Sequence, residues 1–125
     1  MKDIMDKLTY KGIDYTLIFN LNVLEEIQEA YGTLTKCLEE AYGRKKGEPS
    51  MKALGFLIAT MVNEGIDIDN ENATKPEELK KPVTRKQANR MLSEYIALNN
   101  ISNVVKMIDD LMAKSLQGGK DSKNE

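Results

Sequence analysis

The stretch from Leu8 to Gly32 constrains this chain most, because it reads as a two-stranded hairpin running directly into a capped helix. Ile13, Tyr15, Leu17 and Phe19 alternate with Asp14, Thr16 and Ile18, which is the period-2 pattern of a half-buried strand. Thr9-Tyr10 supplies the partner run, and Lys11-Gly12 suits a two-residue turn because Gly accepts positive φ. Two strands alone are marginal in water, so this hairpin must pack on helices or pair with another chain. Asn20 or Asn22 then caps a helix, with Glu25 placed to complete a box with Asn22. Leu24, Ile27 and Tyr31 share one face, with Val23 and Ala30 beside them, and Gly32 is the stop.

The remainder reads as helical. Leu34, Cys37, Leu38, Ala41 and Tyr42 form an amphipathic stripe from Thr33 to Tyr42, closed by Gly43. Ser50 caps a third helix from Met51 to about Glu64, with Gly65 as its expected stop. Leu54, Phe56, Leu57, Ile58, Met61 and Val62 wrap more than half its circumference, so it should be central. Ile66 to Val83 reads as a long polar connection, and connections of that length are usually mobile or functional. Thr84 and Gln87 make a capping box for a fourth helix, whose apolar face is Ala88, Met91, Leu92, Tyr95 and Ile96. Asn99-Asn100 interrupts the pattern, Ser102 can cap a restart, and Val104, Val105, Ile108, Leu111, Met112 and Leu116 form the last face. The expected fold is mainly α with a small N-terminal β-hairpin (α+β), its four to five helices packed around one core. One domain covers 1–116, followed by a disordered polar tail over 117–125.

Composition narrows the function classes. A net charge of -2 disfavours broad attraction to nucleic acid or an anionic membrane. No apolar run approaches the roughly 20 residues that span a bilayer, and Met1 to Lys7 lacks the apolar core of a signal peptide. The single cysteine, Cys37, excludes an internal disulfide and points to a cytosolic home. It lies on an apolar helix face with nothing to activate it, so it reads as an inert small hydrophobe. The chain has no His, which removes the commonest general base and the commonest zinc ligand.

Each cluster with a chemical reading has a stronger structural one. Asp67, Asp69, Glu71 and Glu78 fall at the spacing of an EF-hand calcium loop. Asn72 replaces the turn glycine, Thr74 the apolar position, Pro76 interrupts the loop, and Gly65 ends the entering helix early. A solvated acidic loop fits better. Glu25, Glu26 and Glu29 lie on a solvent face, where carboxylates make poor general acids. Arg44-Lys45-Lys46 and the group Lys80, Lys81, Arg85, Lys86 and Arg90 lack interleaved aromatics for base stacking. Neither catalytic residues, nor a metal site, nor a cofactor is assigned. Met51, Met61 and Met91 read as core filler, whereas Met107 and Met112, beside Leu111 and Leu116, read as an adaptable contact surface. Charges at Met107 and Met112 are therefore expected to spare the fold.

The run Phe19-Asn20-Leu21-Asn22-Val23-Leu24-Glu25-Glu26-Ile27-Gln28-Glu29-Ala30-Tyr31-Gly32, preceded by a hairpin, resembles the tail assembly chaperones of long-tailed bacteriophages and prophages. The likeness is strongest over Tyr10 to Leu38, and the order of elements agrees from about Leu8 to Leu116. It implies a non-catalytic protein of the host bacterial cytoplasm. Its partner would be the long, helical tape measure protein, which it keeps soluble while tail tube protein assembles around it. Binding would place a partner helix in an apolar groove, at Met107, Leu111, Met112 and Leu116. Several copies along one partner fit weak self-association, and a longer frameshifted form also goes with the resemblance. The alternative is a structural head–tail connector or tail-completion subunit whose hairpin pairs with a neighbour.

Overall fold

The computed structural model describes the backbone from Asp6 to Asn124 and the side chains from Lys7 to Ser115. The hairpin forms as β1 (Asp6–Tyr10) and β2 (Ile13–Leu17), antiparallel, with Tyr10 opposite Ile13 and Leu8 opposite Tyr15. Lys11 and Gly12 both take positive φ, 53° and 77°, the requirement of a tight hairpin turn whose twist matches the strands. Alternation sorts the two faces. Leu8 and Leu17 are fully buried, while Thr9 and Asp14 stay outside and share a 2.6 Å hydrogen bond.

Among the described residues four helices follow: α1 (Leu21–Tyr31), α2 (Leu34–Tyr42), α3 (Met51–Glu71) and α4 (Arg85–Asn124), with a 3-10 turn at Pro76–Glu78. The α+β architecture expected from the sequence is the one observed. Caps mark the starts. Asn20, Thr33 and Ser50 each accept from a backbone N–H three residues on, and Thr84 and Gln87 exchange two hydrogen bonds as a reciprocal box. Asn20, not Asn22, is the cap of α1. The buried face of α1 centres on Val23 and Ile27, with Leu24 and Tyr31 half-buried and Ala30 exposed. Tyr31 meets Phe56 of α3 edge to face, centroids 5.4 Å apart.

The third helix is central, in contact with β2, α1, α2 and α4. It does not stop at Gly65 but runs to Glu71. Gly65 is in the helix because β2 lies against it there. A Cβ built at that position would overlap the carbonyl oxygen of Thr16. Close by, the Ile18 N–H donates to the Met61 carbonyl at 3.3 Å. Glu64, 9% exposed, completes the joint, its Oε2 accepting from Asn20 Nδ2 at 2.6 Å and from Asn22 Nδ2 at 3.0 Å. A buried carboxyl needs such partners to offset its desolvation.

Helix α4 breaks once, at Asn100, where φ is 59° and ψ is 165°. Its first arm, residues 85–99, lies against α3 and buries Ala88, Met91 and Leu92. Its second arm buries Val104, Ile108, Leu111 and Met112 in the same core. Asn100, rather than Ser102, restarts the helix, its Oδ1 accepting from the Asn103 N–H at 3.2 Å. The backbone is helical on to Asn124. The tail expected over 117–125 falls where no side chain is described, and it stays an expectation.

Replacing Gly by Ala inside a helix normally stabilises it by about 1 kcal/mol. Gly65→Ala should do the opposite and cost about 2–3 kcal/mol, because the atom it meets is backbone. Gly55→Ala should cost clearly less, since the neighbour there is the Asn89 side-chain amide. Urea unfolding of both variants checks this.

Candidate partner-binding surface

The apolar contact face expected near the C-terminus is mostly core. Leu111 and Met112 are 1% and 4% exposed, and Met107 is half-buried against the same cluster. The side chain of Leu116 lies outside the described residues. A charge at Met112 would enter the core, so the expectation that the fold would tolerate it is corrected. The face is covered because α4 bends at Asn100 and lays its second arm on the core, a placement that periodicity cannot reveal.

A different apolar surface stays open. Ile13 is 47% exposed and Tyr15 half-buried. Ile13 and Tyr15, on the core-facing side of the hairpin near its turn, overhang the extended segment Lys80–Val83 and leave a cleft of about 300 Å³ that Gln87 closes. Lys80 and Lys81 give its rim positive charge, and Val83 its half-buried floor.

Two asparagines of α3 hold the segment in place. Asn63 receives the Val83 N–H on its Oδ1 at 2.8 Å and donates Nδ2 to the Val83 carbonyl at 3.1 Å. Asn70 does the same for Lys80, both bonds at 2.9 Å. Each side-chain amide stands in for the edge of a neighbouring strand. An ion pair from Lys80 Nζ to Asp69 at 3.3 Å adds little on an exposed surface. The connection expected over Ile66–Val83 is thus shorter than its sequence suggests and tied to α3 at two points, which makes it a fixed wall of the cleft.

The other candidate groups have structural employment. Asp67, Asp69 and Glu71 lie on the last turns of α3, not in a loop. Glu78 accepts the N–H groups of Thr74 and Lys75 at 2.9 and 3.2 Å, and these bonds hold its carboxyl below the usual range. No group of Cys, Asp and Glu close enough to hold a metal ion occurs among the described residues. Arg85 donates to the Lys52 carbonyl at 2.9 Å, Lys45 pairs with Glu39 at 3.3 Å, and Arg44 stacks over the Tyr42 ring. Burial raises the Glu26 carboxyl, with nearby Glu64 adding to it. Burial first, then Glu40, pushes the Cys37 thiol up to about 11. Burial, with the hydrogen bond to Asp109, raises Tyr42 as well. No helix of the described residues is long and apolar enough to cross a membrane.

Comparison of the chain with protein-family models, curated proteins and solved structures returns no match.

Two expectations follow from this geometry. Losing a hydrogen-bond pair such as that of Asn63 or Asn70 costs about 1–2 kcal/mol. Asn63→Ala combined with Asn70→Ala should therefore speed native-state trypsin cleavage after Lys80 by about tenfold or more, as read by mass spectrometry; the bond after Lys81 is closed to trypsin by Pro82. The second concerns Cys37, whose usual value is 9.0 and whose native value is about 11. Between these, the unfolded chain has lost the proton that the native chain keeps, so stability falls as pH rises through that window. Thiol labelling should be slow in the native protein and rapid in urea, and the urea midpoint should drop between pH 9 and 11.

Proposed function

We propose that this chain is a non-catalytic phage tail assembly chaperone that binds the tape measure protein, keeps it soluble and assists assembly of the tail tube around it. The order of elements carries the reading. A hairpin, a helix closed by Tyr31-Gly32, a short second helix, a broad apolar helix, a polar connection and a helical C-terminal stretch follow one another in this chain, as in the family it resembles. The partner chemistry agrees with the surface that is open. A long helix with an apolar stripe can cover Ile13, Tyr15 and Val83, while acidic residues flanking that stripe meet Lys80 and Lys81. The host cytoplasm is where such a protein would work.

A second reading is favoured by one observation. The sheet has only two strands among the described residues, so the outer edge of β1 carries no strand. A connector or tail-completion subunit would use such an edge to pair with its neighbour.

Co-expression with the very long reading frame of a tape measure protein tests the proposal. The wild-type chain should hold that protein in the soluble fraction and co-purify with it. Ile13→Asp with Lys81→Glu, both at exposed positions lining the cleft, should retain the fold and reduce co-purification by about tenfold or more, equivalent to about 1.4 kcal/mol of lost binding. A tape measure protein equally soluble without this chain overturns the proposal. The chain found within finished particles would favour the connector instead.

A further inference from the structure

The two arms of α4 are held to the core by separate anchors and joined by one residue. The first arm is anchored by Ala88, Met91 and Leu92 and by Arg85 on the Lys52 carbonyl. The second is anchored by Val104, Ile108, Leu111 and Met112 and by the Tyr42 hydroxyl, which donates to Asp109 at 2.7 Å. Between them Asn100, at φ 59° and ψ 165°, occupies a backbone region nearly reserved for glycine. The bend persists because local bonds secure it. Asn103 donates its N–H to Asn100 and its side-chain amide to the Asn99 carbonyl, and Asn99 donates to the Tyr95 carbonyl.

If Asn100 takes helical dihedrals, α4 becomes one rod of about 60 Å at the usual rise per residue. The second arm then leaves its own core. It exposes the stripe of Val104, Ile108, Leu111 and Met112 together with the groove that stripe filled. Groove and stripe are complementary because they are already packed on each other, so the occupant that fits both is the same arm of a second copy. We propose that two copies of this chain exchange the arm after Asn100 and form a domain-swapped dimer. The core packing that each chain gives up is restored by the arm of the other, and both hinges leave the strained region. The balance then rests on the hinge and on protein concentration, the condition under which short strained hinges invite swapping. Leu98, 80% exposed just before the hinge, supplies an apolar side chain where the two straightened rods cross. The inference is independent of the chaperone reading.

Size-exclusion chromatography with light scattering on the full chain reads the equilibrium. Asn100→Ala, which keeps the strain of the bend and favours the straight helix, should raise the dimerisation constant by about tenfold or more. Asn100→Gly, which fits the bent backbone, should lower it by about tenfold. Exchange itself is read by mixing differently tagged chains in a Cys37→Ala background, one carrying Tyr42→Cys and the other Asp109→Cys. After incubation at high concentration, a bismaleimide with a short spacer should link the two chains to each other. Unchanged association of both Asn100 variants overturns the proposal, as does a dimer without the cross-chain link. Should Asn100→Ala fail to fold, the mixed-chain link with Asn100 intact decides alone, and its absence is the negative result.

Discussion

The joint at Glu64 and Gly65 is the constraint on which the rest of the structure depends. A two-stranded hairpin has no stability of its own, so it must be seated. Here α3 seats β2, and α4 packs against β1. Gly65 admits the Thr16 carbonyl, Met61 accepts the Ile18 N–H, and Glu64 takes the amides of Asn20 and Asn22. Asn20 caps α1 while also holding α3. The same few residues therefore fix where the hairpin ends, where α1 begins and at what height both meet the central helix.

From that joint the open surface follows. With β2 docked on α3, the tip of the hairpin projects over whatever lies beside α3 on the way to α4. Asn63 and Asn70, on the same helix, decide what that is by gripping Lys80 and Val83 through their backbone groups. The cleft between Ile13, Tyr15 and Val83 is thus bounded by elements that α3 positions, and it is a property of that helix more than of any loop.

Much of this was legible in the chain. The hairpin turn needed only Lys11-Gly12 between alternating runs, and the caps at Ser50 and Thr84, with the choice of Asn20 or Asn22 before them, are local chemistry within four residues of sequence. The breadth of the apolar surface on α3 foretold its central position. The errors share one cause. Gly65 reads as a helix stop because glycine is a poor helix former, yet its missing side chain serves a strand distant in sequence. Asn63 and Asn70 read as ordinary polar helix residues, and their backbone partners lie twenty and ten residues away. Leu111 and Met112 carry the pattern of a contact face, and pattern does not distinguish a face that meets a partner from one that meets the chain's own core.

What the sequence determined by itself is what short-range physics controls: where helices start, where the turn falls, and which residues must leave water. Periodicity and capping act over a few residues, and no tertiary contact is needed to read them. The tertiary structure alone decided which neighbour each apolar face meets. It turned Gly65 from a break into a seat and made Asn100 a hinge, and it thereby moved the open surface from the end of α4 to the tip of the hairpin. Those outcomes depend on close approach between segments distant along the chain, and sequence spacing holds no record of that distance.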